Sequence, residues 1–407
     1  MFMAALVFSL NCHAKNVIHV TFVNPDKPGN VFWDRVTTYM QFAAEDLDIE
    51  LSVLYAESRF QTPDIVSEAI KHKPKPDYLL YIYQYAQTRD VLEIAEQAKI
   101  KSFIFNTNMV EQERRTVGEA REKYKYWIGH SFPNNKNSGQ QLAQSLITEA
   151  QSLHLQQGDG RHYLVALHGT RDSSAVPDYK AGLENAVSLN PNIKIVQQLH
   201  SNWSNLRAKK QTEGVLRRHP EIDIIWAGSE SMAMGAIDAS EKLGRKPGQD
   251  IIIGGTVSSQ AGLQAVDQGK MIASIGGDTL EGAWALTQIY DYEHGQDFYT
   301  GTPITYSLTI TDKETIRQYD NFFSPEYWQQ VDFKQFTKRH NPQLKEVQVT
   351  PDTLVKSTRE TPKDSAPIKT TAEEKALNEK FLNKKASPEK TSPEKTPHEK
   401  PLQEATP

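Results

Sequence analysis

The run Val17 to Asn24 is apolar and rich in β-branched residues, and Pro25, Pro28 and Gly29 then interrupt it. From Trp33 onward Val36, Met40, Ala43 and Leu47 recur at helical spacing. This reads as strand, loop, helix, with Phe32 and Trp33 where the loop becomes a helix. The rhythm continues. Strands are predicted over Leu51–Tyr55, Tyr78–Tyr83, Lys101–Phe105, Tyr126–Ile128, His162–Leu167, Lys194–Leu199, Ile222–Ala227 and Ile251–Gly254. Helices are predicted over Pro63–Ile70, Arg89–Ala98, the stretch carrying Leu142 to Leu153, Asp178–Leu189, Leu206–Arg218, Ser231–Leu243 and Gln260–Gln268, with a charged loop from Glu111 to Lys125. Such alternation means βαβ units and mostly parallel sheets. It extends to about Asp312, too far for one compact core, so two α/β lobes are expected. Periodicity alone does not separate a doubly wound pair from a (β/α)8 barrel.

Past Tyr327 the pattern fades. Phe333 to Val349 is expected to pack on the second lobe. From residue 350 the chain is mostly Lys, Glu, Thr and Pro, including the degenerate repeat Ala386-Ser-Pro-Glu-Lys-Thr-Ser-Pro-Glu-Lys. That composition buries too little apolar surface to offset ordering entropy, so 350–407 reads as a disordered tail. Within it, Ala376, Leu377 and Phe381 suit a transient amphipathic helix.

The chain has 407 residues, a formal charge of −5 and a pI near 6.2. There is no basic excess, and no nucleic-acid partner is expected. Residues 1–14 are short, apolar and end in small residues, like a secretory signal with Ala14 as the last residue removed. Cys12 is the single cysteine. Cleavage after Ala14 leaves none, which suits an oxidising compartment and excludes thiol catalysis and disulfides. The expected location is the periplasm. No phosphate-binding loop, nucleophile elbow or metal-ligand spacing is present, so neither an enzyme nor a cofactor is expected.

Four stretches, in order, carry a family resemblance: Asn30-Val-Phe-Trp33; Pro177-Asp-Tyr-Lys-Ala-Gly-Leu-Glu-Asn-Ala; Ile222-Asp-Ile-Ile-Trp-Ala-Gly-Ser-Glu-Ser-Met-Ala-Met-Gly-Ala; and Ile251-Ile-Ile-Gly-Gly-Thr with Gly262-Leu-Gln-Ala-Val-Asp-Gln-Gly-Lys. Over Lys15 to Asp312 the chain resembles the type I periplasmic sugar-binding proteins, related to the ligand domains of lactose-repressor-type regulators. Its layout is closest to that of the autoinducer-2 receptor of vibrios. The resemblance implies two Rossmann-like lobes joined by a three-strand hinge. The N-terminal lobe would comprise 15–131 with 276–306, and the C-terminal lobe 132–275 with 307–349. It also implies a monomer that captures a small sugar-like ligand and delivers it to a membrane ABC permease, or alternatively signals through a membrane sensor protein.

The implied ligand residues transfer one at a time. Asn30, Phe32 and Trp33 form the aromatic loop, where sugar C–H faces lie on rings. Gln84, Tyr85 and Asn106 follow first-lobe strands. Arg171, Asp172, Ser173 and Trp203 follow second-lobe strands. Ser229 and Glu230 form the polar pair, while Tyr179 and Thr256 stand where relatives carry an arginine and an aspartate or tryptophan. Neither of the two arginines of the autoinducer-2 receptor's cleft has a counterpart in this chain; the second would fall near Gly276–Gly277. A neutral, aromatic cleft for an uncharged polyol follows, or for a cation if Glu230 points inward. Structural alternatives stand beside these roles. Phe32 and Trp33 could staple the helix start, Asn106 and Asn108 could be turn residues, Arg171 and Asp172 a surface pair, and Glu230 a cap. Trp127, Trp226 and Trp284 read as core.

Overall fold

The computed structural model describes residues 17–275, 279–344 and 351–355. The leader, the Gly276–Gly277 position and the tail beyond 355 lie outside the described residues. The first third of the chain runs β1 (Ile18–Asn24), α1 (Val31–Asp46), β2 (Ile49–Tyr55), α2 (Thr62–Ala69), β3 (Tyr78–Ile82), α3 (Thr88–Ala98), β4 (Lys101–Phe105), α4 (Glu111–Val117) and β5 (Trp127–Pro133). There follow α5 (Asn135–Ser152), β6 (His162–His168), α6 (Ala175–Ser188), β7 (Ile193–His200), α7 (Asn205–Arg218), β8 (Ile224–Ala227), α8 (Glu230–Lys242), β9 (Ile252–Val257), α9 (Gln260–Asp267) and β10 (Ile272–Ile275). Next come α10 (Glu281–Glu293), β11 (Ile304–Tyr306) and β12 (Thr309–Thr311). The Glu111–Lys125 stretch, expected as a charged loop, holds α4. Its acidic first turn and basic last turn complement the helix dipole.

The strands form two sheets, ordered β2-β1-β3-β4-β5-β11 and β7-β6-β8-β9-β10-β12. All pairings are parallel except β10 with β12. The strands β1, β3, β6 and β8 are almost wholly buried, as expected where helices cover both faces of a parallel sheet. Two doubly wound lobes, rather than a barrel, are therefore present. The chain passes between them after β5, between β10 and α10, and between β11 and β12. Trp127, Trp226 and Trp284 are core, as the sequence suggests. Close approach of α5 and α6 needs Gly182, since a Cβ there would sit 2.0 Å from the Lys136 carbonyl oxygen.

One placement differs from the sequence reading. Residues 307–349 were assigned to the second lobe, but the stretch from Phe322 to Arg339 lies on the first. Trp328 stacks on Tyr39 of α1 with ring centroids 3.8 Å apart, and Phe333 and Phe336 are buried against α1 and α10. Asp291 of α10 accepts from the backbone N–H groups of Lys338 and Arg339, at 2.7 and 2.9 Å. The aromatic residues here follow no helix or strand period, which is why sequence pattern alone misplaces them.

Candidate functional site: a cleft between two carboxyl edges

In a parallel sheet the loops after the strands gather at one edge, and ligands bind there. At the first sheet's edge lie the loops after β1, β3 and β4. Asn30 caps α1: its Oδ1 accepts from the N–H groups of Phe32 and Trp33 at 3.1 and 3.2 Å, and its Nδ2 donates to Asp26 at 2.7 Å. That capping holds Phe32 and Trp33 edge to face, centroids 5.0 Å apart, both half-buried. Gln84 is half-buried, and its Oε1 is enclosed with no partner among the described residues. Tyr85 is exposed. Asn106 takes a left-handed φ of 70°, a conformation Asn tolerates, and so turns the chain after β4.

The second edge is organised differently. Trp203 sits in a left-handed turn (φ 59°) after β7. Its ring presses on the backbone ends of β6 and β8, for a Cβ on Gly169 would come within 1.9 Å of it and one on Gly228 within 3.4 Å. Ser229 caps α8 by accepting from the Met232 N–H at 3.3 Å. Thr256 Oγ1 accepts from the Glu230 N–H at 3.1 Å. The Glu230 carboxylate accepts from the N–H groups of Ser258 and Ser259, at 2.5 and 2.9 Å, and from the Ser259 hydroxyl. Burial raises its pKa, against the pull of those hydrogen bonds. Glu230 is thus tied to the loop before α9 and does not supply a free inward carboxylate. The cation-binding alternative loses its anion. Tyr179 is buried in α6, edge-on to Trp226 at 5.9 Å.

The two edges face each other. Arg59, after β2, pairs with Asp172, after β6, at 2.7 Å. Asn108, after β4, bonds Asp178 of α6, and Arg114 donates to the Asn108 Oδ1 at 2.7 Å. Desolvation raises the Asp178 pKa. Asp172 therefore bridges lobes at the rim. Arg171 is exposed, and Ser173 is half-buried in the turn leading to α6. The sequence reading missed Asn135 and Ser174. Asn135 opens α5 where the chain passes from one sheet to the other, and Ser174 precedes α6. Both are buried with a side-chain oxygen lacking a partner among the described residues. The break Pro133-Asn134-Asn135 before a helix was the available signal. Among the described residues no group of three His, Cys, Asp or Glu side chains could hold a metal ion.

Two doubly wound lobes meeting edge to edge around aromatic rings are the type I architecture of periplasmic solute receptors. A family model described as a periplasmic binding protein domain matches residues 20–297, and the chain belongs to that family. A solved periplasmic sugar-binding protein from Pseudomonas fluorescens superposes with a TM-score of 0.73 at 26% identity, covering 83% of this chain and 99% of its own. The galactofuranose-binding protein YtfQ of Escherichia coli is 30% identical over 28% of this chain and 36% of its own length. The fructose import binding protein FruE of Bifidobacterium longum is 28% identical over 51% of this chain and 58% of its own. The chain thus matches less than two thirds of the length of these two curated relatives.

Proposed function

We propose that this chain captures a small uncharged sugar in the cleft between its lobes and delivers it, as a periplasmic monomer, to a membrane ABC permease. One observation carries the reading: aromatic rings stand on both edges of the cleft, Phe32 and Trp33 opposite the side that bears Trp203, while the second edge's carboxylate at Glu230 is tied into its own lobe. Rings offer apolar faces to sugar C–H groups, and buried oxygens without partners among the described residues, at Gln84, Asn135 and Ser174, offer acceptors to hydroxyls. The names of the relatives support a sugar, and their import roles support transport. Within the cleft Phe32, Trp33 and Trp203 stack on the ring, and Gln84, Asn106, Asn135 and Ser174 select hydroxyls. Asn30, Ser229, Glu230 and Thr256 hold those groups in place. A thermal-shift screen of the purified chain against monosaccharides, polyols and small amines should single out sugars. Deleting the gene should then abolish uptake of the sugars that stabilise the protein. Stabilisation by amines alone, or unchanged uptake, would refute the reading.

A further inference from the structure

Beyond the three passages between sheets, the segment after β12 ties the lobes together once more. On the second lobe Ile316 and Tyr319 are buried against α9, and Arg317 pairs with Asp267 at 3.3 Å. Leu354 is buried on the same turn. On the first lobe, besides the Tyr39–Trp328 stack, Tyr39 donates to the Phe322 carbonyl at 3.2 Å and Trp328 Nε1 to the same oxygen at 2.6 Å. Arg35 donates to the Phe323 carbonyl at 3.3 Å and lies 5.1 Å from the Phe323 ring centroid. Only Asp320 and Asn321, both exposed, separate the two anchors. The apolar residues of both anchors belong to one continuous cluster that runs from α1 and α10 into α8 and α9. The family model ends at residue 297, before this segment begins.

We propose that residues 316–340 act as a strap that limits how far the lobes part and so governs solute exchange. Solute entry requires the lobes to separate. At the rim the Arg59–Asp172 pair is water-accessible, and such pairs open at little cost. Along the strap, separation would expose stacked aromatic rings or stretch a two-residue link, which spans only about 7 Å. The lobes therefore swing open at the rim while the strap side stays closed.

The test lengthens the link without removing any buried side chain. Eight Gly/Ser residues are inserted between Asp320 and Asn321 in a full-length Cys12→Ser chain carrying spin labels at Glu57→Cys and Arg207→Cys, both exposed positions on opposite lobes. Such an insert reaches about 15 Å, so pulsed EPR should show the sugar-free interlobe distance growing by about 5 Å or more and broadening relative to the parent. An unchanged distribution overturns the strap, whether or not the melting temperature falls. If the insertion prevents folding, Trp328→Leu is read by the same distances with the same two outcomes. The readout needs no sugar, so its failure leaves the proposed function standing.

Discussion

The first lobe's edge keeps a ring pair and a glutamine oxygen with no partner among the described residues, whereas the second lobe's edge turns Ser229, Thr256 and Glu230 on itself. Ser229, Thr256 and Glu230 bond backbone groups of α8 and the loop before α9 and leave Trp203 as that edge's distinctive surface. The same β–loop–α topology thus carries two arrangements: Gln84 keeps an oxygen with no partner among the described residues, while Ser229, Thr256 and Glu230 spend their side-chain oxygens on their own lobe. In sequence a polar pair after a strand looks identical in both roles, because caps and ligand contacts use the same residue types.

Substitutions should separate these roles. The largest effect is expected from Trp203→Ala, which removes a flat ring held against Gly169 and should weaken sugar binding by about 100-fold or more with the fold retained. Normal affinity, measured by calorimetry, would move the site away from that ring. Next, Glu230→Ala should cost about 1–3 kcal/mol of stability by orphaning the Ser258 and Ser259 N–H groups, seen in urea unfolding. Gln84→Ala should do the reverse, weakening binding about 10-fold while leaving the urea midpoint unchanged, since its Oε1 has no partner to lose among the described residues. If both variants behaved alike, the contrast between edges would collapse.

A graded effect, small near neutral pH, involves protons. Burial pushes His130 down to about 3, with its bond to the Thr107 carbonyl opposing, and His168 is lowered by burial as well. The unfolded chain therefore takes up protons near pH 6.5 that the native state refuses, so stability should fall as pH drops from about 6.5 toward 3, by at most about 1.4 kcal/mol per unit for His130. Melting curves of His130→Gln between pH 7 and 4 should show a shallower decline than the parent; an equal slope would clear His130. Smallest of all, Arg59→Ala should change sugar affinity by less than about threefold, because the bridge to Asp172 is exposed.

Much of this was legible in the chain. The alternation of strand and helix periods marked two parallel α/β lobes, and Asn30 through Trp33 marked the first-lobe loop, because those signals are local. The strap was not legible: Phe322, Trp328 and Phe333 find partners on α1 through contacts almost three hundred residues apart, with no period to betray them. Asn135 and Ser174 escaped notice for a related reason. An Asn or Ser at a helix start reads as a cap, and only an oxygen with no partner among the described residues sets these two apart.

The most direct test of the account is isothermal titration of the purified chain with D-galactose, D-fructose and D-ribose, and with choline as a cationic control. The account predicts saturable one-site heat from at least one sugar and none from choline. Saturable choline binding with no heat from any sugar would contradict it.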